Sequence, residues 1–340
     1  MRLVLYSCHT YEAPFLARQL STLPLDISYK NAAISIESVE NGPHTEIVSV
    51  FVNDVLDKVM LTTLANKGCR LILLRAAGYD KIDINTAAQL GINVCNVPEY
   101  SPQSIAEYAL MLTLALLRKL PKTLTNMQQH QYALAGLVGQ SLHGKTVGVI
   151  GTGRIGALYA QMLQPFNCTI LACDPIPNAL ICMSNIDYVE LEEIVAQADI
   201  ISLHCPLTPA TRHLFNKQQF VKMKSTASLI NTSRGALVDS EALLAALQSK
   251  QIANYAGDVY EFEAGLYFPI PNAQQADNTL LDQLCKHDNC MMTPHCAFLT
   301  EEGLHNIAHS TFANCVRFMD DDKLVHQLTN DALNTDVYRN

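Results

Sequence analysis

Charge is scarce in this chain, and positive charge scarcest: 23 Lys and Arg stand against 32 Asp and Glu in 340 residues, a formal net charge of −9. No basic run is dense enough to follow a phosphate backbone, which argues against a nucleic-acid partner. No apolar stretch reaches membrane-spanning length, so no membrane partner is expected. The opening MRLVLYSCHT is too short and polar for a secretory leader and reads as a first strand. Repeats and low-complexity tracts are missing as well. The eleven cysteines lack a pattern: their number is odd and no spacing suggests a disulfide framework. Cys95, Cys168, Cys173 and Cys205 lie in apolar runs and read as small buried hydrophobes in a reducing cytoplasm. The cluster HDNCMMTPHC (His287, Cys290, His295, Cys296) fits no common zinc spacing, so no metal is expected.

What remains is an ordinary globular composition, 49% apolar, with length enough for two domains. The first hundred residues alternate short apolar runs (RLVLYS, IVSVFVND, RLILLRAAG, INVCNVP) with helix-like stretches (VLDKVMLTTLANKG, INTAAQLG), which implies a parallel sheet. SPQSIAEYALMLTLALLRKL then reads as a long helix, apolar on most faces, that marks the crossing into a second domain. A second series runs from Val147 through CTILACD, DIISLHCP, SLINTSR and ANYAGDVY to NCMMTPH. Its unalternating runs suit strands covered on both faces. The stretch after Thr300 is helical in character and is expected to return to the first domain.

The most informative segment is KTVGVIGTGRIG, residues 145–156. An apolar run stops at Gly151, Gly153 and Gly156 complete G-x-G-x-x-G, and a helix-compatible stretch follows. Asp174 comes eighteen residues after Gly156, at the end of the next apolar run. Each part has a physical reason. Gly151 allows a tight turn, Gly153 lets the backbone approach a pyrophosphate, and Gly156 lets helix and strand pack closely. The helix start offers unpaired N–H groups to the phosphates. Asp174 would accept from the adenosine ribose hydroxyls and repel a 2′-phosphate, so the expected cofactor is NAD rather than NADP.

Three further segments stand at strand ends, where doubly wound sheets bind ligands. They are INTSRGALVD with Arg234, GDVYEFE with Glu261 and Glu263, and TPHCAF with His295. Reducing a 2-keto acid needs a clamp for its carboxylate and a proton for its carbonyl oxygen. An arginine fork provides the first. A histidine titrating near neutrality, steadied by a carboxylate, provides the second.

FVND, RAAGYDKID, VPEYSPQSIAE, GKTVGVIGTGRIG, SLHCPLT, NTSRGALVD, GDVYE and TPHCAFLT run through nearly the whole chain. In these stretches the chain resembles the D-2-hydroxyacid dehydrogenase family, nearest to its bacterial fermentative lactate-forming members. The resemblance implies an α/β fold of two Rossmann-like parallel-sheet domains with a cleft between them. One is a flavodoxin-like substrate domain of residues 1–100 plus 299–340; the other is an NAD-binding domain of residues 101–298. A homodimer is usual. Arg234, Glu263 and His295 become the catalytic trio, with Glu263 rather than Glu261 aligned to the family's acid. Arg154 and Ile155 are implied over the pyrophosphate, and Cys205 and Pro206 beside the adenosine. Thr232, Ser233 and Arg234 are implied at the nicotinamide ribose, and Asp258 at the carboxamide. Thr211 stands where relatives often have Asn. His204 is open to a cofactor contact or to plain packing.

For the substrate, the resemblance implies the amides around Ala77 and Gly78 at the carboxylate, Tyr100 facing the substrate or packing between domains, and Phe298 on the pocket's apolar side or in the core. Segment 264–285 exceeds a minimal connection and carries PIP where relatives are charged. The expected reaction is reversible NADH-dependent reduction of pyruvate to D-lactate. The alternatives are another 2-keto acid (glyoxylate, hydroxypyruvate or a bulkier one) and a non-catalytic NAD-sensing protein on the same fold.

Overall fold

The computed structural model describes residues 1–98, 100–178, 186–267 and 278–329. They fall into two compact units. One holds Met1–Ser101 and the return from Leu299; the other holds Pro102–Tyr267 and the segment ending at Phe298.

The first unit is a five-stranded parallel sheet. Its strands are β1 (Arg2–Leu5), β2 (Asp26–Tyr29), β3 (Ile47–Val50), β4 (Leu71–Leu74) and β5 (Asn93–Cys95), in the order β2-β1-β3-β4-β5. That is the flavodoxin-like order. The central strands β3 and β4 are buried at every residue, as unbroken apolar runs require when helices cover both faces. Edge strand β2 (DISY) and the helix Ala13–Leu20 escape the sequence reading: β2 is polar and exposed at both ends. Helices start where side chains can hold their first amides. Asp57 caps Lys58–Asn66, Asp83 caps Ile84–Gln89 and Thr300 caps Glu301–Met319, each cap worth about 1 kcal/mol. The helix Glu301–Met319 packs on Ala13–Leu20 and completes the core around Leu3, Leu16, Leu20 and Leu71 with Ala308 and Cys315.

The second unit is a seven-stranded parallel sheet. Its strands are β6 (Thr146–Ile150), β7 (Thr169–Cys173), β8 (Ile186–Tyr188), β9 (Ile200–Leu203), β10 (Ser228–Asn231), β11 (Asn254–Gly257) and β12 (Cys290–Met292). The order β12-β11-β10-β9-β6-β7-β8 reverses direction between β6 and β9. In such sheets that reversal opens the ligand crevice at the carboxyl ends. The long helix Pro102–Leu117 packs on the helix Arg154–Leu163, and small residues let the two approach: Ala106 and Ala109 against a helix bearing Gly156, Ala157 and Ala160.

Each of the ten described cysteines is free. Cys95 and Cys205 are buried as expected, whereas Cys168 and Cys173 are only half-buried. Residues 268–277 of the long 264–285 segment lie outside the described residues; its end forms the helix Thr279–Cys285. No described helix is long and apolar enough to cross a membrane.

Candidate active site

The turn after β6 has no room for side chains where glycine stands. Gly151 has φ +89°, and a Cβ there would lie 2.6 Å from the Cys205 nitrogen. A Cβ on Gly156 would lie 1.9 Å from the Gly151 carbonyl oxygen, so only glycine lets this helix sit against the turn. Gly153 is the N-cap of Arg154–Leu163 and no side chain caps that helix. Its positive dipole end suits an anion. Arg154 is exposed and Ile155 half-buried in this first turn.

Asp174 follows β7 directly. Its Oδ2 accepts the Thr152 N–H at 2.6 Å and its Oδ1 the Ile176 N–H at 2.8 Å. A carboxylate offers about four acceptor positions, so ribose hydroxyls still find room. The sequence reading passed over Thr152, the x of G-x-G. It is 1% exposed, and all its polar groups are held by the strand-end segments beside it. Besides the Asp174 contact, its carbonyl accepts Asn178 Nδ2 at 2.9 Å and its hydroxyl accepts Tyr188 O–H at 2.8 Å. Tyr188 ends the three-residue strand β8, too short to leave a pattern.

Two candidate cofactor residues have side chains bonded within the protein. The His204 imidazole turns into the core, packed at 4.9 Å on the Tyr159 ring, with Nε2 bonded to Ser202 Oγ at 2.9 Å. Burial pushes its pKa down to about 3, so it is a neutral packing residue and only its backbone borders the Gly151 turn. The Thr211 hydroxyl closes its own loop, donating to the Pro206 carbonyl at 2.7 Å and accepting the Thr208 N–H at 2.7 Å. Pro206 is half-buried at this loop's start. Burial raises the Cys205 thiol to about 12, so that side chain is a hydrophobe. Ser233 Oγ donates to the Cys205 carbonyl at 2.6 Å and ties the ends of β9 and β10 together. Beside it the buried Thr232 hydroxyl has no partner among the described residues. An unsatisfied buried hydroxyl, a glycine cradle and an uncapped helix start are what a dinucleotide's ribose and phosphates would complete.

Arg234 comes after β10, half-buried, with Nη1 on the Ser233 carbonyl at 2.9 Å. His295 follows β12 in a left-handed backbone conformation, φ +53°, a strain of about 1 kcal/mol or more for a non-glycine residue. Asp258 holds that turn. Its carbonyl accepts the His295 N–H at 2.7 Å, and its carboxylate accepts Thr293 Oγ1 at 2.6 Å, the Cys296 N–H at 3.0 Å and the Ala297 N–H at 2.8 Å. Asp258, expected at the cofactor's carboxamide, is fully buried where it holds this turn. Glu263 Oε1 lies 2.8 Å from His295 Nδ1, and Oε2 accepts the Tyr260 N–H at 3.0 Å. Burial pushes the Glu263 carboxyl up. The hydrogen bond and charge of His295, the Tyr260 amide and the Arg234 charge outweigh that and leave it below the usual carboxylate value. Phe298, 7% exposed, sets its ring edge-on to the His295 imidazole at 6.4 Å.

In the first unit, the loop after β4 has its carbonyls occupied and its amides open. The Ala76 carbonyl accepts the Val97 N–H at 3.1 Å and the Ala77 carbonyl accepts Asn96 Nδ2 at 2.7 Å. The N–H groups of Ala77 and Gly78 have no acceptor among the described residues. Tyr100 is half-buried, and its carbonyl accepts Asn306 Nδ2 at 2.9 Å. Among the described residues no group of His, Cys, Asp and Glu could hold a metal ion.

Comparison with known proteins shows what the whole chain is similar to. Residues 110–297 match the family model "D-isomer specific 2-hydroxyacid dehydrogenase, NAD binding domain". The chain is 40% identical to 2-hydroxyacid dehydrogenase homolog 1 of Schizosaccharomyces pombe, over 94% of this chain and 96% of that one. It is 39% identical to a D-lactate dehydrogenase of Curvularia clavata, over 92% and 91%. Among solved structures, the pyruvate reductase of Chlamydomonas reinhardtii superposes with a TM-score of 0.87 at 39% identity, over 95% of this chain and 98% of that one.

Proposed function

The chain belongs to the D-isomer specific 2-hydroxyacid dehydrogenase family, a family of NAD-dependent oxidoreductases, and on that premise we propose that it reduces pyruvate to D-lactate. The observation that carries the reading is the His295–Glu263 couple, 2.8 Å apart and under the charge of Arg234, at the strand ends of a sheet that bears a dinucleotide turn.

NADH, when bound, supplies the hydride. The residues around it do the rest. The cradle of Gly151, Gly153 and Gly156 with the helix start would hold the pyrophosphate, Asp174 the adenosine ribose and Thr232 a ribose hydroxyl. Arg234 grips the substrate carboxylate and draws electron density from the adjoining carbonyl. Because Glu263 holds Nδ1, the proton for the carbonyl oxygen comes from Nε2 of His295. Glu263 favours the imidazolium that gives this proton and steadies the ring once it is neutral. In lactate oxidation the same nitrogen takes the proton back. On the first unit, the open amides of Ala77 and Gly78 suit a carboxylate, and Tyr100 is assigned to the substrate on the family resemblance.

Two observations support pyruvate. Phe298 covers His295 with an apolar ring, which suits a methyl group. The Curvularia and Chlamydomonas relatives carry names that specify lactate and pyruvate. A homodimer is part of the reading. The helix Leu120–Gln128 buries none of its residues, and Leu124, Met127, Tyr132, Leu134 and Val138 nearby are each more than half exposed, an apolar surface that a second copy would cover. The free thiols of the described cysteines suit a reducing cytoplasm.

The test is a substrate panel at saturating NADH with chiral analysis of the product. Pyruvate should give the highest kcat/KM and D-lactate alone. Faster turnover of glyoxylate, hydroxypyruvate or a branched 2-keto acid would reassign the substrate. Binding of NADH without turnover of any 2-keto acid would remove the catalytic reading. A monomer by light scattering would dispose of the dimer.

A further inference from the structure

Two residues before Glu263, on the same loop, a second glutamate meets a second histidine. The Glu261 side chain is only 5% exposed, and its carboxylate is surrounded by donors. Oε1 lies 2.6 Å from His213 Nε2 and accepts Arg212 Nη2 at 3.3 Å; Oε2 accepts the Ser240 N–H at 3.2 Å. These donors come from the loop after β9 and from the start of the helix Ser240–Gln248.

His213 is fixed in its turn. It has φ +51°, and its N–H donates at 2.8 Å to the Ala236 carbonyl, in the turn that follows Arg234. Gly235 closes the arrangement, since a Cβ there would lie 2.1 Å from the Tyr260 carbonyl carbon and 2.4 Å from the Glu261 nitrogen. The peptide after Arg234 thus presses directly on the peptide that leads to Glu263, and His213 is bonded to both segments.

We propose that Glu261, held by His213, is a positioning residue: it fixes the loop 258–263 so that Glu263 stays on Nδ1 of His295. The inference rests on the Glu263–His295 reading above. Glu263 tolerates its burial because His295, the Tyr260 amide and Arg234 converge on it. A loop loosened by about 1 Å gives up that convergence, and displacements of this size cost up to roughly 100-fold in rate. A histidine that loses its carboxylate neighbour also loses proton affinity, and keto-acid reduction needs the protonated ring. Among the described residues, further charged or titratable groups around the His295 turn are Arg234, Asp258, Cys296 and, against Cys296, Tyr108. Asp258 lies on the loop 258–263 itself and shares in its position; none of the four is itself substituted in the variants below.

The experiment compares Glu261→Gln, His213→Ala, His213→Gln and Glu263→Gln. It reads kcat and KM for pyruvate against pH, thermal melting, and the histidine NMR titration of the protein without cofactor. Glu261→Gln should lower kcat by roughly tenfold or more while KM stays within about threefold. The alkaline limb should move to lower pH, and the histidine NMR titration without cofactor should move the same way. His213→Ala should behave likewise. His213→Gln, which keeps a side-chain N–H, should recover most of the loss. If Glu261→Gln and His213→Ala melt lower but keep the wild-type alkaline limb and His295 titration, the couple is structural alone and the proposal falls. If Glu263→Gln leaves that limb and titration in place, the fault lies in the Glu263–His295 reading itself, and the proposal goes with it.

Discussion

Each unit places an arginine just past the end of an inner strand, and the two are used in opposite ways. Arg75, after β4, is 1% exposed and surrounded by acceptors: both Glu12 carboxylate oxygens at 3.0 Å, Ser49 Oγ at 2.9 Å, and the Tyr6 and Ser7 carbonyls at 2.8 and 3.0 Å. It stitches the ends of β1, β3 and β4 together. Arg234, after β10, is half-buried, and its charge reaches Glu263, the acid that holds His295. The same residue type at the same topological slot becomes scaffold where the protein supplies every acceptor. In the proposed reading it becomes a ligand group where the guanidinium stands half-buried at the edge of a cradle.

The sharpest way to break that contrast is to remove each charge. Arg75→Met should leave Glu12 buried without its partner and cost roughly 3–5 kcal/mol of stability, read as a large drop in denaturant midpoint. Adding Glu12→Leu should restore much of it. Arg234→Gln should melt near the wild type and lose roughly 10²–10³-fold in kcat/KM. If Arg234→Gln proved the unstable variant and Arg75→Met a stable but inactive one, the assignment of scaffold and ligand group would be reversed.

The histidines of the second sheet give a similar contrast with a smaller effect. His295 is held beside Glu263, whereas His204 is kept neutral by burial, with its pKa near 3. The unfolded chain takes up a proton at His204 below about pH 6.5, and the folded protein refuses it down to about pH 3. Stability from this group is therefore complete above pH 6.5 and is lost as the pH falls towards 3, at up to about 1.4 kcal/mol per pH unit. His204→Gln should flatten the acid slope of melting temperature between pH 6.5 and 4 without changing the alkaline limb of turnover. A variant that kept the full slope would place the acid sensitivity elsewhere.

These contrasts mark what a sequence can disclose. The glycine turn was legible because its constraints are local: Gly151 needs its positive φ and Gly156 its missing Cβ, whatever lies further along the chain. The parallel strands were legible as unbroken apolar runs. The choice of Glu263 over Glu261 was not local. Both acids sit in GDVYEFE, both meet a histidine, and only family resemblance or three dimensions tells which histidine belongs to which. His204, at a strand end, was open to a groove contact or to packing, because whether such a side chain turns towards ligand or core depends on neighbours such as Tyr159 and Ser202. Edge strands β2 and β8 left no signal, since an edge strand of three or four residues needs no apolar run.

The smallest predicted effect tests whether one of those unsignalled strands matters to the cofactor. Tyr188 reaches from β8 to the middle of the glycine turn, donating to Thr152 Oγ1 and accepting the Asn178 N–H, each at 2.8 Å. Tyr188→Phe removes one hydroxyl and leaves the Asn178 amide and the buried Thr152 oxygen each short of a bond, at a cost of about 0.5–1.5 kcal/mol. Because Thr152 also holds Asp174 through its N–H, that cost should fall on the cradle for the adenosine half of the cofactor, not on the proton relay. NADH should bind roughly 2- to 10-fold more weakly by fluorescence titration, with kcat at saturating NADH unchanged. An equal loss in kcat would mean that the turn communicates with the relay. An unchanged Kd would mean that Thr152 keeps its place without the tyrosine, its amide bond to Asp174 being sufficient.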